Sequence, residues 1–426
     1  MKKYINPERS LWPELGRRPE LEQGDLQHQV QSILDQVKEG GDSALGAFTK
    51  KFDHIALEAV KIPVPKDPIP IPAALREGID LAFQNIEKFH RAQIEDSPKI
   101  ETMPGVTCWR KSIPIQAVGL YIPGGTAPLF STLIMLGLPA KLAGCPEIVV
   151  CSPPQPDGEL HPSMLYTAQK LGLEHLFAVG GAQAIAAMAY GTESIPRVDK
   201  IYGPGNQYVT KAKQLISLTG TAIDMPAGPS EVAVLADQTA NPEFVAADLL
   251  SQAEHGKDSQ VILATDHEAI VEQISAAMER QLKELPREKL ARESLSQSKA
   301  MVFSDLSEAM EFINAYAPEH LIINTANPTQ WEQQVRNAGS VFLGAFAPES
   351  VGDYASGTNH TLPTNGHARA YAGVSVDSFV KKVTFQSLTK QGLQSIGPAV
   401  SAMADAEGLV GHKNAVNIRL DQNATD

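Results

Sequence analysis

The sequence predicts an α/β protein built from parallel-sheet βα units, and three observations support this fold class. From about residue 114, short apolar runs each lead into a glycine-rich turn and an alanine-rich helical stretch, a pattern typical of parallel sheets. One series of runs includes residues 148–150, 176–179 and 201–202, and a second includes residues 231–236, 261–264, 301–303 and 341–343. A chain of 426 residues is too long for one ordinary hydrophobic core. We therefore expect two sheets.

The N-terminal part of the chain predicts two amphipathic helices joined by an extended connector. Apolar residues recur at helical spacing between residues 26 and 37 and again between residues 75 and 89. Gly40 and Gly41 follow the first stretch, where a helix is expected to stop. Five prolines between residues 63 and 72 exclude both a helix and a central strand. At the other end of the chain, residues after about 376 read as a helical tail.

Composition and charge exclude several classes of protein. Hydrophobic residues make up 43% and charged residues 20% of the chain, as in ordinary soluble globular proteins. The formal net charge is -13 and no long run of Lys or Arg occurs, so we expect no nucleic-acid partner. No apolar segment follows the first residues, and no uninterrupted apolar run reaches about 18 residues. We therefore expect a cytoplasmic protein without a membrane partner.

The cysteines limit the kind of metal site that the chain could hold. Cys108, Cys145 and Cys151 are too few and too irregularly spaced for a disulfide framework or a thiolate zinc site. Any metal would therefore need histidine, carboxylate or amide ligands.

A first polar cluster lies at the end of a predicted helix. Asn241 followed by Pro242 is a good helix start, and Gly256 is a good stop. Gln252 and His255 are three residues apart, so they share one face of the last turn. An amide oxygen and an imidazole on one face could hold a hard or borderline cation. Taken alone, a solvated polar helix end explains the same residues.

A second cluster sets Glu319 and His320 side by side just after Pro318. Neighbouring residues on an extended backbone point to opposite sides, so the two could act on different atoms of one substrate. Histidine is the usual general base near neutral pH, and glutamate can activate a water. A surface Glu-His pair is the alternative when this segment is considered alone.

A third cluster extends from residue 348 to residue 360 and contains Glu349, Asp353, Asn359 and His360 among glycines. Polar side chains this dense are hard to explain as core, because each would need a partner if buried. A binding loop and an ordinary polar loop are both open here. Further on, His412 is by itself uninformative.

Nucleotide binding has only weak support from the residues themselves. No Gly-x-Gly-x-x-Gly string follows a predicted strand at the Rossmann spacing. Glycine-rich loops at residues 121–125, 180–183 and 203–206 could let backbone amides at a helix start approach phosphate. Each could equally be an ordinary tight turn.

Taken together and in this order, these clusters resemble the histidinol dehydrogenase family. The resemblance extends through most of the chain, and its most specific strings are residues 201–206, 224–231, 251–256, 317–321 and 352–360. The resemblance implies one zinc per subunit and NAD as cofactors, and it implies a role for each matching position. The zinc ligands would be Gln252, His255, Asp353 and His412, and the catalytic acid–base residues would be Glu319 and His320. The substrate-binding residues would be Ser230, Gln252, His255, His320, Asp353, His360, Glu407 and His412. The NAD-binding residues would be Tyr121, Gln183 and Asn206.

The implied reaction is two successive NAD-dependent oxidations, from L-histidinol through L-histidinal to L-histidine, in the last steps of histidine biosynthesis. We expect zinc to position the substrate, His320 to remove the hydroxyl proton and Glu319 to activate a water. The chain departs from the commoner family pattern at residues 129–132, which read Leu-Phe-Ser-Thr in place of Tyr-Pro-Ser-Ser. A zinc hydrolase and a non-catalytic metal-binding relative are the competing interpretations.

The resemblance also implies two Rossmann-like domains with small helical segments at both ends. Residues 1–20 would form the N-terminal segment. Residues 21–120 and 230–375 would form the domain that carries most metal and catalytic residues. Residues 121–229 would form the second domain, which contributes NAD contacts. Residues 376–426 would form a helical tail that crosses to the partner in a homodimer.

Overall fold

The computed structural model describes residues 1–19, 25–95, 97–124, 128–226 and 228–421. Its strands are β1 (Lys2–Ile5), β2 (Lys61–Pro63), β3 (Ile100–Met103), β4 (Val106–Pro114), β5 (Ala117–Tyr121), β6 (Glu147–Ser152), β7 (His175–Ala178), β8 (Lys200–Tyr202), β9 (Ala222–Ile223), β10 (Glu231–Ala236), β11 (Gln260–Thr265), β12 (Lys299–Val302), β13 (His320–Asn324), β14 (Ser340–Leu343) and β15 (Val380–Leu388). Its helices are α1 (Trp12–Leu15), α2 (Leu26–Phe52), α3 (Ala73–Arg91), α4 (Phe130–Ala143), α5 (Pro162–Leu171), α6 (Gly181–Tyr190), α7 (Gln207–Ser217), α8 (Pro242–Ala253), α9 (Glu268–Leu282), α10 (Glu288–Gln297), α11 (Leu306–Tyr316), α12 (Glu349–Tyr354), α13 (Lys390–Ala406) and α14 (Val410–Asp421).

Two six-stranded sheets share one strand order. The β5 sheet is ordered β2-β7-β6-β5-β8-β9, and the β10 sheet is ordered β1-β12-β11-β10-β13-β14. In each sheet the first strand of the βα series is central, the next two lie on one side and the last two on the other. These strands are parallel. This is the order of the nucleotide-binding doubly wound folds, so the predicted α/β class with two Rossmann-like sheets is confirmed.

The sequence forms these sheets because their central strands are apolar on both faces. Every residue of β10 and of β11 is buried, as expected for parallel strands covered by helices on both sides. Separate hydrophobic clusters fill the space on the two faces of each sheet. Asn241 starts α8 as predicted, because its side chain accepts a hydrogen bond from the Glu243 amide.

The N-terminal helices belong to the β5 sheet, which corrects the expected grouping of residues 21–120 with residues 230–375. Apolar side chains of α2 pack in one cluster with α6 and α7, and those of α3 pack in another with α4. β2 adds an antiparallel edge strand beside β7, and its Pro63 suits an edge position. An amphipathic pattern shows that a helix covers a sheet, but it does not show which sheet.

The first helical stretch breaks at Gly41 as predicted, because the backbone there is not helical, with φ of +51°. A second helical stretch follows directly and continues to Phe52, so α2 consists of two helical stretches joined at a kink. A side chain at Gly41 would collide with the carboxylate of Glu193, which accepts a hydrogen bond of 2.8 Å from the Asp42 amide. The glycine therefore permits a close approach between two distant segments, which the local sequence cannot reveal.

The chain divides into two units. The first, residues 1–93 and 115–379, contains both parallel sheets, and the second comprises residues 94–114 and 380–426. In the second unit, β15, β4 and β3 form an antiparallel sheet, and α13 packs against α14. The expectation of a wholly helical tail was wrong, because the tail begins with strand β15. The partner of β15 is β4, about 270 residues earlier in the chain, so no local sequence pattern predicts this strand. Within the described ranges, no helix is long and apolar enough to cross a membrane.

Candidate active site

The predicted acid–base residues lie at the amino end of β13, next to the amino end of the neighbouring strand β10. Glu319 directly precedes β13 and His320 begins it, and Glu231 begins β10. The chain enters β13 from the C-terminus of α11 through Ala317, which adopts a left-handed conformation with φ of +57°. Doubly wound sheets usually bind ligands at the carboxyl ends of their strands, so this placement is not what strand order alone predicts.

The main chain of Glu231 holds both predicted catalytic side chains. Its amide donates a hydrogen bond of 2.9 Å to Glu319 Oε2, and its carbonyl accepts one of 3.1 Å from His320 Nδ1. Nδ1 therefore carries a proton, and Nε2 is the ring atom left for chemistry. Nε2 is buried and forms no hydrogen bond with the described part of the chain. Glu231 was not predicted, although it stands directly after Ser230 at the start of an apolar run.

Three carboxylates surround His320. Glu319 Oε2 and Glu349 Oε2 lie 3.7 and 3.9 Å from Nδ1, and Asp353 Oδ1 lies 3.4 Å from Nε2. Burial alone would lower the pKa of His320, but Glu319, Asp353 and Glu349 more than offset this and raise it. Burial also raises the pKa of Glu319 and of Glu349 above their ordinary values. Protons are therefore shared within a coupled buried cluster.

Glu349 orients the predicted ligand Gln252. Its Oε1 accepts a hydrogen bond of 2.8 Å from Ser251 Oγ. The Gln252 amide nitrogen, in the orientation that satisfies both side chains, donates to the two Glu349 oxygens at 3.0 and 3.2 Å. In this orientation the Gln252 oxygen faces away from Glu349. Glu349 stood in the third polar cluster, but nothing in its spacing indicated this contact.

His360 connects the two sheets. Its Nδ1 donates a hydrogen bond of 2.8 Å to the Asp353 carbonyl on α12. Burial lowers the pKa of His360, so the ring is neutral and its Nε2 accepts a hydrogen bond of 3.2 Å from Thr132 Oγ1 on α4. Thr132 belongs to the segment that departs from the commoner family pattern.

Gln252, His255 and Asp353 could contribute to a metal site. Gln252 lies in the last turn of α8, His255 follows that helix and is exposed, and Asp353 is half-buried on α12. His320 holds the pKa of Asp353 below its ordinary value, although burial alone would raise it, and His255 is close enough to add to this effect. Within the described ranges, no group of three or more His, Cys, Asp or Glu side chains is arranged to hold a metal ion.

Two predicted site residues, Glu407 and His412, lie in the second unit of the chain. Glu407 caps the C-terminus of α13 and His412 lies on α14, and both are exposed. They belong to the second unit, so their predicted roles rest on the resemblance. Ser230, by contrast, directly precedes β10 beside the acid–base pair.

The three predicted NAD residues lie at the carboxyl edge of the β5 sheet. Tyr121 ends β5, Gln183 is buried in the first turn of α6 after β7, and Asn206 caps α7 after β8. Tyr121 Oη accepts a hydrogen bond of 3.1 Å from the Gly181 amide. Strand order reverses between β5 and β8, and such a switch point is where doubly wound sheets form a ligand crevice.

A buried ion pair fastens the loop before Asn206. Gly203 has φ of +120°, and a side chain there would collide with the Tyr121 carbonyl oxygen. Its amide donates to Asp224 Oδ2 and its carbonyl accepts from Lys213 Nζ, both at 2.8 Å. Lys213 and Asp224 also pair with each other. Asp224 stands in one of the strings that carry the resemblance, whereas nothing in the sequence singled out Lys213.

Two Rossmann-like sheets, one with a buried carboxylate–histidine cluster and one with glycine-rich loops at its switch point, define an α/β enzyme of the dehydrogenase type. A family model described as histidinol dehydrogenase matches residues 16–420. Histidinol dehydrogenases from Bacteroides fragilis and Bacteroides thetaiotaomicron are each 55% identical to this chain, and each match covers 99% of both chains. The crystal structure of histidinol dehydrogenase from Elizabethkingia anophelis superposes with a TM-score of 0.97 at 52% identity, covering 100% of this chain and 99% of that chain. The chain belongs to the histidinol dehydrogenase family.

Proposed function

We propose that the chain oxidises L-histidinol through L-histidinal to L-histidine, using NAD and a bound zinc ion. The observation that carries this proposal is the buried Glu319–His320 pair, whose Nε2 atom has no hydrogen-bond partner in the described residues. A family member with this pair intact has an acid–base group suited to both oxidations. When bound, NAD accepts one hydride in each oxidation.

His320 serves the first oxidation in this proposal. His320 acts in its neutral form, in which the second ring proton resides on a neighbouring carboxylate of the coupled cluster. The alcohol carbon loses a hydride while Nε2 takes the hydroxyl proton, and an aldehyde results. The hydrogen bond from Nδ1 to the Glu231 carbonyl keeps the ring oriented for this transfer. Asp353 Oδ1, 3.4 Å from Nε2, stabilises the imidazolium that forms.

Glu319 serves the second oxidation. One carboxylate oxygen of Glu319 accepts a hydrogen bond from the Glu231 amide. The other oxygen is left to take a proton from the water that adds to the aldehyde. Burial raises the pKa of Glu319, so its carboxylate is a stronger base than an exposed glutamate. The resulting hydrate loses the second hydride and a proton to give the carboxylic acid.

The donor set fits zinc. Gln252 offers an amide oxygen turned away from Glu349, His255 an exposed imidazole and Asp353 a half-buried carboxylate. These ligand types suit zinc, and manganese is the alternative. His412 of the partner subunit would supply a further protein ligand. When bound, zinc supplies a Lewis acid and an anchor for substrate nitrogen atoms.

The second unit supports a homodimer. Of its described hydrophobic side chains, only Val106 and Ala404 are buried. Eight large apolar side chains of this unit are exposed: Ile94, Ile100, Val383, Leu388, Met403, Leu409, Val410 and Ile418. A core this small gives little stability to an independently folded unit. We therefore propose that a second copy of the chain covers these exposed apolar side chains. Glu407 and His412 would then complete the partner's site.

For NAD we propose the carboxyl edge of the β5 sheet, with Tyr121, Gln183 and Asn206 as contacts. Their position at the switch point supports this assignment.

The two buried cysteines are poorly suited to attack the aldehyde covalently, because a thiol must lose its proton to become a nucleophile. Burial raises the pKa of Cys145 to about 11 and raises that of Cys151 further. A cytoplasmic location stays a prediction.

The test is the stoichiometry of NADH formation. We expect two NADH for each L-histidinol consumed, with activity lost on chelation and restored by zinc. Metal-dependent hydrolysis without NAD would indicate a zinc hydrolase instead. Metal binding with neither activity would indicate a non-catalytic relative.

A further inference from the structure

Arg18, from the N-terminal segment, contacts the strand ends that carry the acid–base pair. Its Nε and Nη2 atoms donate to Glu231 Oε1 and Oε2, each at 2.8 Å. The two side chains are 12% and 1% exposed. This two-point pairing is the strongest geometry for a guanidinium and a carboxylate.

The same guanidinium also closes the turn that leads into Glu319 and His320. Nη2 donates to the Tyr316 carbonyl at 2.8 Å and to the Ala317 carbonyl at 3.3 Å, and the group lies 3.9 Å from the centre of the Tyr316 ring. These carbonyls lie at the C-terminus of α11, where helix carbonyls lack internal partners and a cation is favoured.

We infer that Arg18 is a positioning residue for the Glu319–His320 pair. This inference rests on the proposed function. Glu231 holds Glu319 and His320 through its main chain, and Arg18 fixes Glu231 through its side chain. Arg18 thus joins the two strand ends whose relative placement sets the geometry of proton transfer. A lysine could not replace it, because one ammonium cannot span a carboxylate and two carbonyls in a planar fork.

The first experiment removes the guanidinium of Arg18 by substitution and then supplies a guanidinium as a small molecule in solution. Arg18→Ala is expected to lower kcat for L-histidinol oxidation by on the order of 10–100-fold, as small misplacements of catalytic groups do, with KM for NAD unchanged. Arg18 borders an open cleft of about 470 Å³, so methylguanidinium can reach the vacated space. We expect millimolar methylguanidinium chloride to restore part of kcat and equal sodium chloride to restore none. Wild-type kcat in Arg18→Ala, or a loss that methylguanidinium does not reverse, overturns the inference.

Removing Arg18 leaves the Glu231 carboxylate buried without its partner, which can destabilise the fold. The Arg18→Ala/Glu231→Gln double variant avoids that charge and still lacks the donors to the turn, so its kcat should also fall. Full activity in the double variant would contradict the inference.

Arg9→Ala is the matched control. Arg9 lies on the same segment and pairs with Glu311 on α11, but both side chains are more than half exposed. It should keep wild-type kcat, and an equal loss there would assign the effect to the segment as a whole and overturn the inference. If the wild-type protein forms no NADH from L-histidinol, the proposed function fails. If it does and Arg18→Ala matches it, only the inference fails.

Discussion

The amino edge of the β10 sheet and the carboxyl edge of the β5 sheet belong to sheets with the same strand order, yet they hold different chemistry. The β5 edge has glycine-rich loops whose main chain approaches closely, as at Gly203 and Tyr121. The β10 edge has ionisable side chains packed around His320. Strand order therefore indicates where loops suited to a nucleotide would lie, because the switch point follows from topology. It does not indicate where the acid–base group lies.

The physical difference between the two edges is the kind of group that must be held. A nucleotide loop needs main-chain amides at a helix start, and these occur at the carboxyl ends of strands that lead into helices. An acid–base pair needs side chains in a buried, coupled environment, and the turn at Ala317 together with Glu231 supplies one at the opposite edge. Each region should therefore respond to a different kind of substitution.

The largest effect is expected for Glu319→Gln at the β10 edge. An amide cannot take the proton from water, so kcat for L-histidinal oxidation should fall by roughly 10²–10⁴-fold, the usual contribution of a general base. Formation of the first NADH from L-histidinol should be much less affected. Single-turnover absorbance at the NADH band separates the two steps. Equal slowing of both oxidations would show that Glu319 is not confined to the water step.

The second prediction concerns pH and stability at the same edge. Burial raises the pKa of Asp248 on α8 to about 7 from 3.8, so the folded state keeps a proton that the unfolded state releases between these values. Stability should therefore fall as pH rises from about 4 to 7, and stay reduced above. Asp248→Asn carries no carboxyl group that must ionise while buried. This variant should therefore be more stable than the wild type at pH 8 by up to about 4 kcal/mol.

At pH 4 the two proteins should differ by less than about 1 kcal/mol, since Asp248 is protonated in the folded state and still partly protonated in the unfolded state. Urea unfolding at pH 4 and pH 8, with chelator present throughout, measures the difference. A stability gain of equal size at both pH values would assign the effect to packing instead of ionisation.

At the β5 edge, KM for NAD should rise when a side chain is added at a position where the main chain packs closely. Gly203→Ala forces an ordinary side chain into a left-handed conformation and against the Tyr121 carbonyl. Strain of about 1–3 kcal/mol corresponds to a rise in KM for NAD of on the order of 10–100-fold, with KM for L-histidinol unchanged. Gly220→Ala is the matched control, because Gly220 has φ of +105° but nothing within 4 Å of the added carbon. A similar rise in KM for NAD in both variants would contradict a specific role for the Gly203 loop.

The sequence predicted the parallel sheets well because their strands are buried on both faces and read as continuous apolar runs. It predicted the start of α8 because an N-cap is a local interaction. Other features depend on contacts far apart in the chain. β15 pairs with a strand about 270 residues away, and Arg18 reaches Glu231 across 213 residues. Neither position carries a local signal of its partner.

The candidate site shows the same limit. Each polar cluster alone fits a solvated surface, and only their order along the chain, compared with a known family, indicated a common site. The structure brings Glu319, His320 and Asp353 together, and it adds Glu231 and Glu349, whose contacts no spacing rule predicts. Side chains that position other side chains leave little trace in a single sequence.

The smallest predicted effect tests the connection between the two edges. Thr132 lies in the first turn of α4 near the β5 edge. Its hydroxyl donates to His360 Nε2, while His360 Nδ1 donates to the Asp353 carbonyl. Thr132→Val keeps the shape and removes the donor, so a loss of about 1 kcal/mol, or about fivefold in KM for L-histidinol, is expected. Thr132→Ser keeps the hydroxyl and should retain the wild-type KM. Equal KM values in the Val and Ser variants would mean that the two edges act independently, because this hydrogen bond would then carry no binding energy between them.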